Sequence, residues 1–315
     1  MKKVAFIFPG QGSQYVGMGK SLYDHFSQVR EVFAEADEAL GYKLSSLCFE
    51  GPEAELNLTA NTQPAILMVS VAAYRVLSAA INIEPAVLAG HSLGEYSALV
   101  AVGAFDLVDA VKAVQKRGQY MQEAVPEGQG GMVAVLGLER DKVEEICQKA
   151  TSDGEIASPA NFNCPGQLVI SGQIPALKRA ITLAQEMGAR KAIMLPVSAP
   201  FHCPLMIPAG ERLRHYLGSV PVKPLAYPIV TNVEAKENQE VSRVKDLLVE
   251  QVTHTVLWED SVHCMIERGV DTFVEIGPGK VLSGLVKRIS KSATVLNLED
   301  IRTLDALEKQ WKEVY

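Results

Sequence analysis

Positive charge is in short supply: 37 acidic residues outnumber 30 lysines and arginines, leaving a formal net charge of −7. A broad nucleic-acid footprint needs a contiguous basic surface, so small molecules or proteins are the expected partners instead. Paired cysteines are missing too. Cys48, Cys147, Cys164, Cys203 and Cys264 are scattered with no C-x-x-C, which favours reduced thiols over a redox centre. No zinc-type spacing joins His202-Cys203 to His263-Cys264, and no metal is expected. No apolar run approaches a membrane span. The run Val4-Ala5-Phe6-Ile7-Phe8 after Met1-Lys2-Lys3 stops at Pro9-Gly10, too short for a secretory h-region, so a cytoplasmic location is expected. Low-complexity and collagen-like composition are also absent. With 48% apolar residues over 315 positions, the chain can bury one large core and carry a smaller insert.

Short apolar runs alternate with amphipathic stretches, which predicts an α/β sheet covered by helices. The first strand, over 4–8, opens into Pro9-Gly10-Gln11-Gly12-Ser13-Gln14. That loop lacks the lysine of a phosphate-binding loop and the glycine spacing of a dinucleotide fingerprint. Residues 64–80 read as a helix apolar around its circumference, hence buried scaffold. Between Gly128-Gln129-Gly130-Gly131 and Pro196 the order is strand 132–136, helix 141–150, strand 156–161, strand 168–171, helix 174–187, strand 192–195. This βαββαβ order is that of a ferredoxin-like unit, here spanning 128–196. The remainder, 1–127 and 197–315, forms the large domain, with a strand at 272–276, a turn at Gly277-Pro278-Gly279 and a last helix over 303–314. A cleft is expected between the two.

The chemistry is suggested by Gly90-His91-Ser92-Leu93-Gly94-Glu95-Tyr96, a G-x-S-x-G sequence between a strand-like run and a helix-like one. In that context a serine sits on a tight turn, its hydroxyl lifted toward a cleft and helix N–H groups aimed at the same point. Attack on a thioester or ester would build an oxyanion that such donors stabilise, so acyl transfer is the reaction suggested. Taken alone, the five residues also fit an ordinary loop. The backbone N–H groups of Gln11 and Leu93 are the candidate oxyanion donors, the alternative for Gln11 being a plain strand-to-helix turn. Among the histidines, His202 stands out in Val197-Ser198-Ala199-Pro200-Phe201-His202-Cys203-Pro204-Leu205-Met206, at the boundary between insert and large domain. Such a loop position suits a general base. His91 should point away from Ser92, and His25 and His215 sit on polar helix faces.

Together these stretches resemble the malonyl-CoA:acyl carrier protein transacylase family, the acyltransferases of fatty acid and polyketide synthesis. The resemblance runs end to end through Phe8-Pro9-Gly10-Gln11-Gly12-Ser13-Gln14, the serine motif, the Arg117 region, Asn161-Phe162-Asn163-Cys164-Pro165-Gly166-Gln167, Pro200-Phe201-His202, Val249-Glu250-Gln251-Val252 and Glu275-Ile276-Gly277-Pro278-Gly279. It implies a hydrolase-like large domain with a parallel sheet and a ferredoxin-like insert. It also implies a ping-pong reaction in which Ser92 takes the malonyl group from malonyl-CoA, His202 moves the proton, and the phosphopantetheine thiol of acyl carrier protein is the acceptor. On the same resemblance the Gln251 carbonyl orients His202, Arg117 holds the malonyl carboxylate, Asn161 lies near the site and Phe201 crowds out an α-methyl group. Cys203 stands where many relatives have serine. No cofactor is permanently bound, and a monomer is expected.

An acidic carrier docking on an acidic chain needs a local basic patch, for which Arg190-Lys191 and Lys287-Arg288-Lys291 are candidates beside the plainer reading of solvated faces. Two rivals stay open. A thioesterase would use the same elbow but deliver the acyl group to water, although no acidic residue is in evidence to complete a hydrolase triad. A catalytically inactive docking module would keep the fold alone.

Overall fold

Alternation along the first strand sets the layout. In β1 (Lys3–Phe8), Val4, Phe6 and Phe8 join one apolar cluster while Ala5 and Ile7 join another. Both faces are therefore covered, as a parallel strand inside an α/β sheet requires. The computed structural model describes residues 3–152, 154–197 and 199–314; Ser198, part of the histidine-bearing stretch, lies outside the described residues. The further strands are β2 (Val87–Gly90), β3 (Gly130–Leu136), β4 (Ala157–Cys164), β5 (Gln167–Gln173), β6 (Lys191–Met194), β7 (Ile229–Val230), β8 (Glu237–Asn238), β9 (Val270–Ile276) and β10 (Thr294–Leu298).

They form two sheets. The larger has the order β10-β9-β1-β2-β7-β8 and is parallel apart from the terminal β7–β8 pair. The smaller, β4-β5-β3-β6, is antiparallel throughout. Its apolar side is covered by the helices Arg140–Ala150 and Ile174–Glu186, with Ile146, Leu177, Val133 and Ile170 in one cluster. A parallel sheet flanked by helices, with a small antiparallel sheet beside it, is the α/β class expected. The segment after the helix Val241–Thr253 joins the edge of the smaller sheet, where Val256 pairs with β4 through Phe162 N–H to the Val256 carbonyl at 3.0 Å and Val256 N–H to the Ala160 carbonyl at 2.9 Å.

Some boundaries differ from expectation. The helix predicted over 64–80 runs Thr59–Ala80, with Pro64 inside it rather than at its head. The earlier start is anchored by the Thr62 hydroxyl, which donates to the Leu56 carbonyl at 2.6 Å. The extra turn brings Gln63 into the interior. Contrary to the expectation that no apolar run approaches a membrane span, this helix is long and apolar enough to cross one by length and composition, but 72% of its apolar window is buried in the protein, which makes it a core helix. Strand β4 continues to Cys164, three residues past the predicted end, because its pairing with β5 runs on through Phe162–Leu168 to Cys164–Gln167.

Candidate active site

Strand β2 ends at Gly90 and the helix Gly94–Ala101 begins four residues later. So abrupt a turn requires glycines. A Cβ on Gly90 would lie 1.9 Å from the Gly94 carbonyl carbon, and one on Gly94 would lie 2.0 Å from the Phe8 carbonyl oxygen. Between them Ser92 is held at φ 50°, a left-handed conformation that costs a non-glycine residue about 1–3 kcal/mol. Side chains from distant segments hold it there. Ser92 N–H donates to Asn232 Oδ1 at 2.6 Å, Asn232 Nδ2 donates to the Gly90 carbonyl at 2.7 Å, and Gln251 Nε2 donates to the Ser92 carbonyl at 3.0 Å.

Ser92 Oγ lies 2.8 Å from His202 Nε2, and His202 Nδ1 lies 2.7 Å from the main-chain carbonyl of Gln251. A carbonyl can only accept, so Nδ1 carries the proton and Nε2 of the neutral ring accepts from the serine hydroxyl. Burial and the nearby Arg117 charge push His202 down to about 3, leaving it neutral and able to take a proton at ordinary pH. The buried carboxylate of Glu95 bonds to the Gln251 side chain and Asn232 N–H rather than to the imidazole.

Arg117 projects from the helix Leu107–Glu123 and is 1% exposed. Its Nη2 donates to Ser92 Oγ at 3.0 Å and to Gln251 Oε1 at 2.8 Å, and its Nη1 donates to Gln63 Oε1 at 2.8 Å. Its guanidinium carbon stands 5.7 Å from the Tyr96 ring centre. Among the described residues no carboxylate forms an ion pair with it. A buried cation held only by neutral acceptors, one of them the serine hydroxyl, with its Nε left without a partner among the described residues, is suited to an anionic group on the reacting molecule.

These groups open onto a cleft of about 210 Å³ that Gln11, Leu93, Asn161, Phe201 and Met132 also line. Among the described residues neither the Gln11 nor the Leu93 N–H donates to a protein acceptor. Asn161 is 6% exposed and Phe201 7%. His91 turns to Asn163 Oδ1 at 2.8 Å, away from the Ser92 hydroxyl, although its ring still borders the cleft. Arg190, Lys191, Lys287 and Arg288 are all exposed and outside it. Arg288 bonds to the side chain of Gln167, which lines the cleft, and lies 3.4 Å from the Pro165 carbonyl.

Four contributors were not foreseen: Gln63, Glu95, Asn163 and Asn232. Three had a faint sign. Glu95 is an acid in an otherwise apolar helix, Gln63 precedes a proline in an apolar run, and Asn232 follows the apolar pair of β7.

A serine–histidine pair on a strand-to-helix elbow, with unpartnered N–H groups beside it among the described residues, is suited to acyl transfer, to a thiol or to water. The chain belongs to the acyl transferase family, whose domain model matches residues 5–313. It is similar to the malonyl CoA-acyl carrier protein transacylase of Bacillus subtilis (strain 168), 47% identical over 313 residues and covering 99% of this chain and 98% of the relative. A solved acyl carrier protein S-malonyltransferase from Vibrio cholerae is 46% identical, with a TM-score of 0.95 over 97% of this chain and all of that one. A second structure, 43% identical with a TM-score of 0.95 over 98% of this chain and 100% of that one, is of a malonyl-transacylase in complex with its holo type II PKS acyl-carrier protein.

Proposed function

We propose that the chain moves a malonyl group from malonyl-CoA to the phosphopantetheine thiol of acyl carrier protein through an ester on Ser92, for fatty acid or polyketide synthesis. The observation that carries this reading is the Arg117 guanidinium, free of any ion pair among the described residues and 3.0 Å from Ser92 Oγ. A guanidinium fork beside a serine hydroxyl suits an acyl group ending in a carboxylate.

Ser92 Oγ attacks the thioester carbonyl as its proton passes to His202 Nε2. The Gln11 and Leu93 N–H groups stabilise the oxyanion. When the tetrahedral intermediate collapses, the carbon–sulfur bond breaks and coenzyme A leaves with the proton from His202. The carrier thiol then gives its proton to His202 and attacks the ester, and Ser92 recovers its proton as the carbon–oxygen bond breaks. Gln251 orients His202 through its carbonyl, Asn161 lines the acyl cleft, and Phe201 leaves little room for an α-methyl branch. The carrier docks on Arg190, Lys191, Lys287 and Arg288.

Mass spectrometry tests this directly. Incubation with malonyl-CoA should leave a malonyl adduct on Ser92, holo acyl carrier protein should remove it, and Ser92→Ala should abolish both. An adduct lost to water at one rate with or without carrier would mean a thioesterase, and no adduct at all an inactive docking module.

A further inference from the structure

The side chain of Gln251 lies between two buried ions. Its Oε1 accepts from Arg117 Nη2 at 2.8 Å, and its Nε2 donates to Glu95 Oε2 at 2.8 Å. The same Glu95 oxygen accepts from Asn232 N–H at 3.0 Å, and Asn232 in turn holds the Ser92 elbow. Glu95 is 1% exposed. One amide thus separates carboxylate from guanidinium. An amide has one donating and one accepting end, so a carboxylate on the nitrogen side dictates that the oxygen faces Arg117.

We propose that Glu95 is a positioning residue that orients the Gln251 amide and, as the buried counter-charge of Arg117, sets how strongly the site prefers a carboxylated acyl group. This rests on the proposed role of Arg117 toward the malonyl carboxylate. In the free site one buried positive charge faces one buried negative charge through Gln251. An acyl carboxylate adds a second negative charge, which the low-dielectric interior resists unless Glu95 takes up a proton. Burial already pushes Glu95 up to about 7, with the bonds from Gln251 and Asn232 and the charge on Arg117 holding it back. Arg117, from the helix Leu107–Glu123, and Tyr96, the next residue on its own helix, are the titratable groups that couple to it among the described residues. Protonation of Glu95 and binding of the acyl carboxylate therefore favour each other.

The readout is the ratio of kcat/KM for Ser92 acylation by malonyl-CoA to that by acetyl-CoA, followed from about pH 5.5 to about pH 8.5. Ionisations common to both substrates cancel in the ratio. In the wild type it should fall by roughly fivefold or more as Glu95 ionises. In Glu95→Gln, whose Oε1 can still accept both bonds, it should stay flat at the high value. A flat wild-type ratio, or a Glu95→Gln ratio that tracks the wild type or sits low at every pH, would overturn the proposal. Should Glu95→Gln fail to fold, an indicator dye on wild-type protein decides: proton uptake on acylation near neutral pH is expected with malonyl-CoA and not with acetyl-CoA, and equal uptake rejects the idea. Arg117→Ala separates the premise. If that change leaves the malonyl-to-acetyl ratio untouched, the carboxylate role of Arg117 has failed, whatever Glu95 does.

Discussion

At the residue scale, Arg117 bears on both halves of the dyad. It donates to Ser92 Oγ, and its charge is the second cause, after burial, of the low His202 pKa. Arg117→Ala should therefore do two separable things. Malonyl-CoA acylation should fall by about a hundredfold, the equivalent of ~3 kcal/mol for charge-assisted hydrogen bonds, while acetyl-CoA acylation changes far less. The acid limb of the acetyl-CoA rate profile should move to higher pH, because one cause of the depression is gone. Stopped-flow acylation across pH checks both, and an unmoved limb would show that burial alone sets the base. Arg117→Lys should restore little malonyl activity, since an ammonium cannot present two parallel donors. The buried groups also tie stability to pH with opposite signs. His202 is held below its ordinary 6.5, so its contribution is intact above that value and lost as pH falls toward about 3. Glu95 is held above its ordinary 4.5, so its contribution is intact below that value and lost as pH rises through about 7. Urea unfolding of Glu95→Gln against wild type should show a stability difference that varies with pH across that second window, and a constant difference would contradict the sign.

At the element scale, the elbow is a junction of three chain segments with no spare volume. A methyl group on Gly90 would fall within bonding distance of the next backbone, 1.9 Å from the Gly94 carbonyl carbon. Gly90→Ala should cost about 3 kcal/mol or more in urea unfolding and weaken Ser92 labelling by a sulfonyl fluoride. Gly284→Ala, a helical glycine with open space around it, is the control and should be near neutral or slightly stabilising. The elbow was legible in the sequence because its requirements are local: an apolar strand, two glycines around a serine and a helix, all within one short stretch. The segments that hold it were not. Asn232 follows a strand of only two residues, too short for any period to register, and its partners Ser92 and Gly90 lie 140 and 142 residues away. Gln63 falls just before the helix predicted over 64–80, and a proline next to it gives no local sign that the helix has already begun. Glu95 stands inside the serine motif, but nothing in the spacing indicates that its partner is an amide rather than a histidine. Pairings fixed only by tertiary contact leave no periodic trace.

At the scale of the whole molecule, one basic pair leads into a strand of the smaller sheet and the other lies on a helix, yet both approach the same hairpin. Arg190 leads into β6, its N–H donating to the Leu136 carbonyl at 2.8 Å, next to Gly137, whose own N–H donates to the Gly166 carbonyl at 2.9 Å. Arg288 lies at the end of the helix Val281–Ile289 and reaches the same β4–β5 turn at Pro165 and Gln167. The turn joins the proposed docking surface to the cleft, since Gln167 is part of both. A carrier held there would stand at the mouth with its thiol-bearing arm free to enter. Because these charges are exposed, their effect should lie in encounter rate and salt dependence more than in contact energy. Lys287→Glu, which leaves the Arg288–Gln167 contact in place, should lower carrier kcat/KM by roughly tenfold at low salt, with the deficit shrinking toward physiological ionic strength. The rate of Ser92 acylation by saturating malonyl-CoA, measured on the same protein, should hold. If the carrier reaction kept both its rate and its salt slope, the carrier would have to approach the cleft from another side.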